Sequence, residues 1–282
     1  MKELINWVIL ASIAVGIVRP LNFTNNEGAL PYYLDANSAR YEAFQERNPD
    51  MPFERVVALV NANADAGFYN EIEIVHNPTD VSVLLNQNFV LPPGFEPDDL
   101  EPIGGGKLLR SEAAAAFIEM RDAATQAGLN LVVASSYRTH GSQAASYNLI
   151  LEGYGRESAD RNVARPGHSE HQLGLAIDVF HRQISGAMTS ARFQDTREYA
   201  WLLENGHMFG FILRYPREMR DILGYVYEPW HWRYVGVEIA TYMHNEEIAT
   251  FEEYYGMVLA PAVQALVNHL SSQSPLRRAA LR

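Results

Sequence analysis

The sequence predicts an α+β domain of short apolar strands set between helices, with a mainly helical extension in front of it. Three observations carry that expectation. From Ser111 to Ala127 the chain is rich in helix formers, with Glu112 and Glu119 ahead of Arg121 and Gly128 just past the end. Leu131-Val132-Val133-Ala134 follows, a short apolar run of strand length and composition. Leu173, Leu175, Ile177 and Val179 then alternate with small or polar residues, the period of a half-buried strand.

Composition narrows the function classes. At 282 residues the chain holds one sizeable domain plus extensions, or two small domains. Hydrophobic residues at 48% and charged residues at 20% give an ordinary globular balance. A formal charge of −12 argues against nucleic acid as a partner, because phosphate binding needs basic clusters. The absence of cysteine removes disulfides, thiolate ligands and a cysteine nucleophile. The only lysines are Lys2 and Lys107, and neither sits in S-x-x-K or K-T-G. G-x-S-x-G and H-E-x-x-H are absent as well, which removes the serine nucleophile elbow and the helical zincin design.

Taken in order, Leu4 to Val18 is the stretch apolar enough to suggest a membrane. It is shorter than the roughly 20 residues of a spanning helix. Lys2 precedes it, Glu3 offsets that charge, and Arg19-Pro20 follows in place of an A-x-A cleavage site. Residues 1–20 are therefore expected to be an export signal or short anchor, with a buried helix as the other reading. Residues 21–87 are expected to form a spacer or lid: Ser38 to Arg47 is helical in content, Phe53 to Ala62 fits a strand or a short helix, and Asn61 to Gly67 is a turn-rich break. Pro92-Pro93-Gly94 and Gly104-Gly105-Gly106 bracket an irregular segment containing Asp98-Asp99, and Ser111 is placed to N-cap the helix after it. Ala144 to Leu151 continues as a helix toward Gly153 and Gly155, and Glu152 to Arg165 is expected to be a charged loop. Thr196 to Asn205 is helical, ended by Gly206, and Phe209 to Leu213 is a strand leading into Arg214-Tyr215-Pro216. Val235 to Tyr255 is expected to be helical, followed by the amphipathic PAVQALVNHL and a basic end.

The chemistry concentrates in Pro166 to Phe180, PGHSEHQLGLAIDVF, where Ser169, His171, Gly174, Ala176 and Asp178 spell S-x-H-x-x-G-x-A-x-D. His171 and Asp178 are too far apart for one helical turn but converge if a loop runs into a strand. Gly174 and Ala176 allow a close approach by a backbone or ligand. An imidazole and a carboxylate supply two of the three protein ligands of an open zinc site. His231, in YEPWHWRYVG, would complete a His/Asp/His set, with Glu228 as a base. Residues three apart point to opposite faces of a flat strand, so Glu228 and His231 share a site only if the backbone turns at Pro229.

S-x-H-x-x-G-x-A-x-D followed by E-x-W-H resembles the VanY-type D-alanyl-D-alanine carboxypeptidase family. These are zinc peptidases that trim peptidoglycan stem peptides and share a fold with D-Ala-D-Ala dipeptidases and hedgehog signalling domains. The similarity runs roughly from Asn88 to Gly256, and implies a small, mainly antiparallel sheet flanked by helices, with residues 88–257 as the catalytic domain and 258–282 as a tail. It implies that His171, Asp178 and His231 bind Zn2+ and that Glu228 is the catalytic base. It also matches Ser135-Ser136-Tyr137-Arg138-Thr139, with Gln143 five residues after the arginine, so Arg138, Gln143 and Ser169 are implied to hold the substrate's terminal residue. A guanidinium suits that task because it grips a carboxylate with a rigid two-pronged fork. Arg138 is further expected to help stabilise the oxyanion. Tyr215, in a similar R-Y-P, is either a pocket residue or an aromatic packed on the sheet, and Trp230 is placed on the substrate side. A wall-peptide substrate implies an extracytoplasmic protein, attached to the membrane or secreted. Two other readings fit the same fold: an endopeptidase of wall crosslinks, with less use for Arg138, and a zinc-stabilised binding module, with no use for Glu228. Of the other histidines, His168 is expected to support or pack, and His76, His181, His207, His244 and His269 to be structural or exposed.

Overall fold

Two neighbouring strands, buried on both faces and apolar chiefly on one, set the centre of the structure, a computed structural model that describes residues 30–181 and 190–265. Strand β6 (Ala176–His181) and strand β8 (His231–Tyr234) pair antiparallel in the middle of a four-stranded sheet, with β5 (Leu131–Ser135) outside β6 and β7 (Phe211–Leu213) outside β8. All three pairings are antiparallel, as the resemblance implies. Ile177, Val179, Trp232 and Tyr234 are buried and meet Phe117, Met120, Leu202 and Phe211 in one core. Two smaller ladders lie apart: the hairpin of β3 (Leu100–Gly104) with β4 (Lys107–Arg110), and the two-residue parallel pair of β1 (Glu73–Ile74) with β2 (Phe89–Val90).

The helices follow their sequence signals with instructive exceptions. Helix α1 (Ser38–Arg47) and helix α2 (Phe53–Asn61) form the extension, which resolves the open reading of Phe53 to Ala62 as a helix. Val56 to Asn61 are all buried, so α2 is enclosed by α1 on one side and by the chain's later helices on another. A Cβ on Gly256 would lie 1.7 Å from the Ala58 carbonyl oxygen, so only glycine lets these backbones meet. Helix α3 (Ser111–Gln126) starts at its expected cap, one residue early: Arg110 is the N-cap and Ser111 is the first helical residue. Asp99 holds the helix start from outside, accepting the Ser111 backbone N–H through its carbonyl at 2.8 Å and the Arg110 Nε through its carboxylate at 3.0 Å.

Helix α4 (His140–Tyr154) is capped by the Thr139 hydroxyl, which accepts the Ser142 N–H. The segment expected to be a charged loop from Glu152 to Arg165 instead carries helix α5 (Arg156–Asn162), because Gly155 at φ 82° reverses the chain and lets a second helix start at once. Leu173 and Leu175 are buried but lie outside the strand. Residues Glu170–Leu173 form a 3-10 turn that ends at Gly174 with φ 69°, and the strand begins at Ala176. Val235 to Tyr255 is not one helix but two, Val237–Asn245 and Phe251–Tyr254, the second started by a capping box between Thr250 and Glu253. Among the described residues no helix is long and apolar enough to cross a membrane. The Leu4 to Val18 segment, His269 and the basic end lie outside the described residues.

Candidate metal centre

Strand register brings the key groups together. Asp178 on β6 lies directly opposite His231 on β8 and beside Ser135 on β5. His171 arrives from the 3-10 turn before β6, and Gly174 makes that turn possible. Its carbonyl accepts the Arg110 N–H at 2.9 Å, and a Cβ there would sit 3.0 Å from Leu100 and 3.1 Å from the Arg110 side chain. The close approach inferred for this glycine is to the backbone of β4. One ligand atom each from His171, Asp178 and His231 lies within 4.8 Å of the others, and all three residues are buried.

The hydrogen bonds around this trio decide what belongs at its centre. His171 Nδ1 lies 2.8 Å from the Ser136 carbonyl, which only accepts, so Nδ1 carries the proton and Nε2 carries a lone pair. His231 Nε2 lies 3.2 Å from a Glu170 carboxylate oxygen, which in the same way leaves the lone pair on Nδ1. Both lone pairs point at Asp178 Oδ1, each 3.3 Å away, and that buried oxygen has no hydrogen-bond partner. Three acceptors facing one another in a buried space repel unless a cation lies between them. The donor set of two imidazoles and one carboxylate is that of an open zinc site, so these residues fit the metal.

Charge on the surrounding groups follows. Burial disfavours the charged form of Asp178, but the adjoining imidazoles outweigh this and hold its carboxyl well below the usual carboxylate range. Burial and the Arg138 charge push His171 down, toward the neutral form that binds metals, against the pull of Asp178. Burial also opposes charge on His231, yet the facing carboxylates of Asp178 and Glu170 push it up to about 9. With no metal, a proton on His231 is the electrostatic substitute for the cation. Glu228 is pushed up to about 7, chiefly by burial, with His231 working against the shift and Asp178 adding to it.

Glu228 stands where the sequence requires it. His231 N–H donates to the Glu228 carbonyl at 3.1 Å, closing the turn over Pro229 and Trp230, and the Glu228 carboxylate comes 3.7 Å from His231 Nδ1. Arg138 donates from Nε to Ser135 Oγ at 2.9 Å, from Nη2 to Asp178 Oδ2 at 2.9 Å, and from Nη1 to Gln143 Oε1 at 3.4 Å. Gln143 is itself held through its amide N–H on the Ala164 carbonyl. Ser169 is buried at the head of the 3-10 turn. Tyr215 packs with its ring 5.0 Å from His231 and 5.0 Å from Tyr225, so it adjoins the site and belongs to a packed aromatic cluster. Trp230 is half-buried and stacks on Phe180, which shares the Asp178 face of β6. His168 supports the neighbouring loop by bonding the Asn86 carbonyl at 2.8 Å. His207 and His244 stack on each other away from the trio, and His76 is exposed. Sequence reasoning missed Glu170 and its two arginine partners, Arg214 and Arg233. The available signal was three charged residues inside runs that otherwise read as buried.

A family model for D-alanyl-D-alanine carboxypeptidases, VanY, matches residues 106–237, which contain this whole site. The putative carboxypeptidase YodJ of Bacillus subtilis is 35% identical over 209 residues, covering 69% of this chain and 76% of the relative. The chain belongs to the VanY family. Solved structures agree in fold. The LD-carboxypeptidase LdcB, whose structure addresses peptidoglycan recognition, superposes with a TM-score of 0.62 at 36% identity, over 67% of this chain and 92% of LdcB. A mutant of the vancomycin-resistance D,D-pentapeptidase VanY, solved in complex with Zn(II), superposes with a TM-score of 0.54 at 34% identity, over 62% of this chain and 98% of that one. VanY-family membership and these neighbours correspond to the fold and activity that the sequence motifs imply.

Proposed function

We propose that this VanY-family protein is a zinc-dependent carboxypeptidase that removes the C-terminal D-alanine from peptidoglycan stem peptides or their precursors, outside the cytoplasm. The observation that carries the reading is the orphaned Asp178 Oδ1 faced by two imidazole lone pairs. His171 through Nε2, Asp178 through Oδ1 and His231 through Nδ1 would hold the zinc. Bound there, zinc would supply Lewis acidity and a water acidified from its bulk value to a pKa of about 7.

The chain's own residues supply the rest. Glu228, with a carboxyl near neutrality, takes a proton from water and returns it to the departing amine, a shuttle that needs a group able to gain and lose a proton near neutral pH. Arg138 uses three of its five N–H donors to fix its position, which leaves two for the substrate's terminal carboxylate or the oxyanion. Gln143 steadies that guanidinium, and Ser169, Tyr215 and Trp230 would contact the substrate. Residues 88–257 would act as the catalytic domain. The extension before it is docked through α2 and Gly256, and the 258–282 tail follows it.

The test is direct. Purified protein given a peptidoglycan pentapeptide should release free D-alanine, lose that activity with a zinc chelator and regain it with added zinc. Activity untouched by the chelator, or cleavage confined to crosslinked dimers, would replace this reading.

A further inference from the structure

Between Ser169 and His171, inside the metal-binding turn, lies Glu170, whose side chain has no solvent exposure. A charge buried this completely is tolerated only with partners, and here two guanidiniums provide them. Glu170 Oε1 accepts from Arg214 Nε at 2.7 Å and from Arg233 Nη1 at 3.0 Å. Arg214 turns its remaining nitrogens to the Glu252 carboxylate at 2.9 and 2.7 Å. Arg233 Nη2 donates to the Val81 and Val83 carbonyls at 2.9 and 3.0 Å. Both arginines are fully enclosed. The cluster of two arginines and two glutamates is neutral, and it ties the metal-binding turn to β8, to the end of β7, to the 81–83 segment and to the helix holding Glu252.

Stability alone gives such a cluster little reason to exist, because replacing buried ion networks with well-packed apolar residues is often neutral or stabilising. Its geometry supplies a reason. With Oε1 taken by both arginines, Glu170 has Oε2 left, and Oε2 lies 3.2 Å from His231 Nε2. We propose that Glu170, clamped by Arg214 and Arg233, is the positioning residue of the metal centre, holding His231 in the Nε2–H tautomer with its Nδ1 lone pair turned to Asp178. The proposal rests on the reading of His231 as a zinc ligand. His171 receives the same service from a backbone carbonyl, which no substitution can remove. His231 depends on a side chain, so its support can be tested.

A glutamine at this position distinguishes positioning from packing. It matches the glutamate in shape, but facing two arginines it must turn its carbonyl oxygen to them and its NH2 to His231. The NH2 donates, so Nε2 would have to accept, the ring proton would move to Nδ1, and the ligand lone pair would be lost.

The experiment uses the full chain, with zinc affinity measured by chelator competition and histidine tautomers by 15N NMR. In the wild type, His231 should be protonated at Nε2 and coordinated through Nδ1. Glu170→Gln should lose about 10- to 100-fold in zinc affinity, and at a zinc level that fills the wild type its His231 should no longer show the Nε2–H, Nδ1-coordinated pattern. If Glu170→Gln does not fold, the wild-type spectrum decides alone: His231 coordinated through Nε2 overturns the proposal. A folded Glu170→Gln with wild-type zinc affinity also overturns it. His231→Ala separates the two levels. If it loses zinc while Glu170→Gln keeps it, only the positioning role fails; if it keeps zinc at wild-type affinity, the metal-site reading fails and the proposal with it.

Discussion

The floor and the rim of the site are built on opposite rules. On the floor, His171, Asp178, His231 and Glu170 are buried, and every nitrogen of the two rings is either hydrogen-bonded or aimed at Asp178. On the rim, the Arg138 side chain is 26% exposed and keeps donors to spare, Glu228 keeps a carboxylate near neutrality, and Trp230 is half-buried. A metal floor must be finished before substrate arrives, since its ligands need fixed directions. A rim that was equally satisfied would have nothing left to give a substrate.

That contrast predicts effects of different kind and size. The largest is at the floor: His171→Ala with His231→Ala should abolish zinc binding, reducing metal content from about one zinc per chain to background. Full metal content in the double variant would mean that the floor is elsewhere. Next comes Glu228→Gln on the rim, which should keep zinc and fold yet lose about 10²- to 10⁴-fold in turnover, the range for removal of a general base. Metal content and kcat measured on one sample check both halves, and a loss of zinc would place Glu228 on the floor.

Arg138 comes third. Amidating the peptide's C-terminus should slow the wild type by roughly 10- to 150-fold, as for loss of a charge-assisted hydrogen bond of about 1.5 to 3 kcal/mol. In Arg138→Ala the acid and the amide should be cleaved at nearly equal, slow rates. An arginine that served the oxyanion alone would slow both and preserve their ratio, so the ratio of kcat/KM values is the quantity to read. The smallest effect is on folding. Gly174→Ala places a Cβ at φ 69° within 3.0 to 3.3 Å of Leu100 and Arg110, and should cost at least about 1 to 2 kcal/mol from the left-handed backbone alone. A denaturant midpoint unchanged from wild type would show that the turn relaxes freely.

Much of the site was legible because its signals are local. The spacing of His171 and Asp178, with glycine and alanine between them, required a turn entering a strand. Pro229 announced the reversal that lets Glu228 and His231 share a space, and the structure has a turn at each place. Errors fell where a local signal had a rival. Ser111 has the chemistry of an N-cap, but Asp99 reached the helix start from an earlier segment. The charged stretch after Glu152 lacks apolar periodicity, yet it still holds a short helix, in which Ala159 is the fully buried residue.

By itself, then, the sequence, through its motifs and the family they resemble, pointed to two imidazoles, two acids and an arginine as one site. Tertiary structure alone decided how that chemistry is held. Glu170 finds Arg214 and Arg233 across 44 and 63 residues, and Gly256 meets Ala58 across nearly the whole described chain. Pairings over such separations leave no period and no spacing to read, because they depend on how strands and helices pack against one another. Only packing also shows that His171 and His231, alike in sequence, have different partners, Nδ1 of one on a backbone carbonyl and Nε2 of the other on a buried carboxylate.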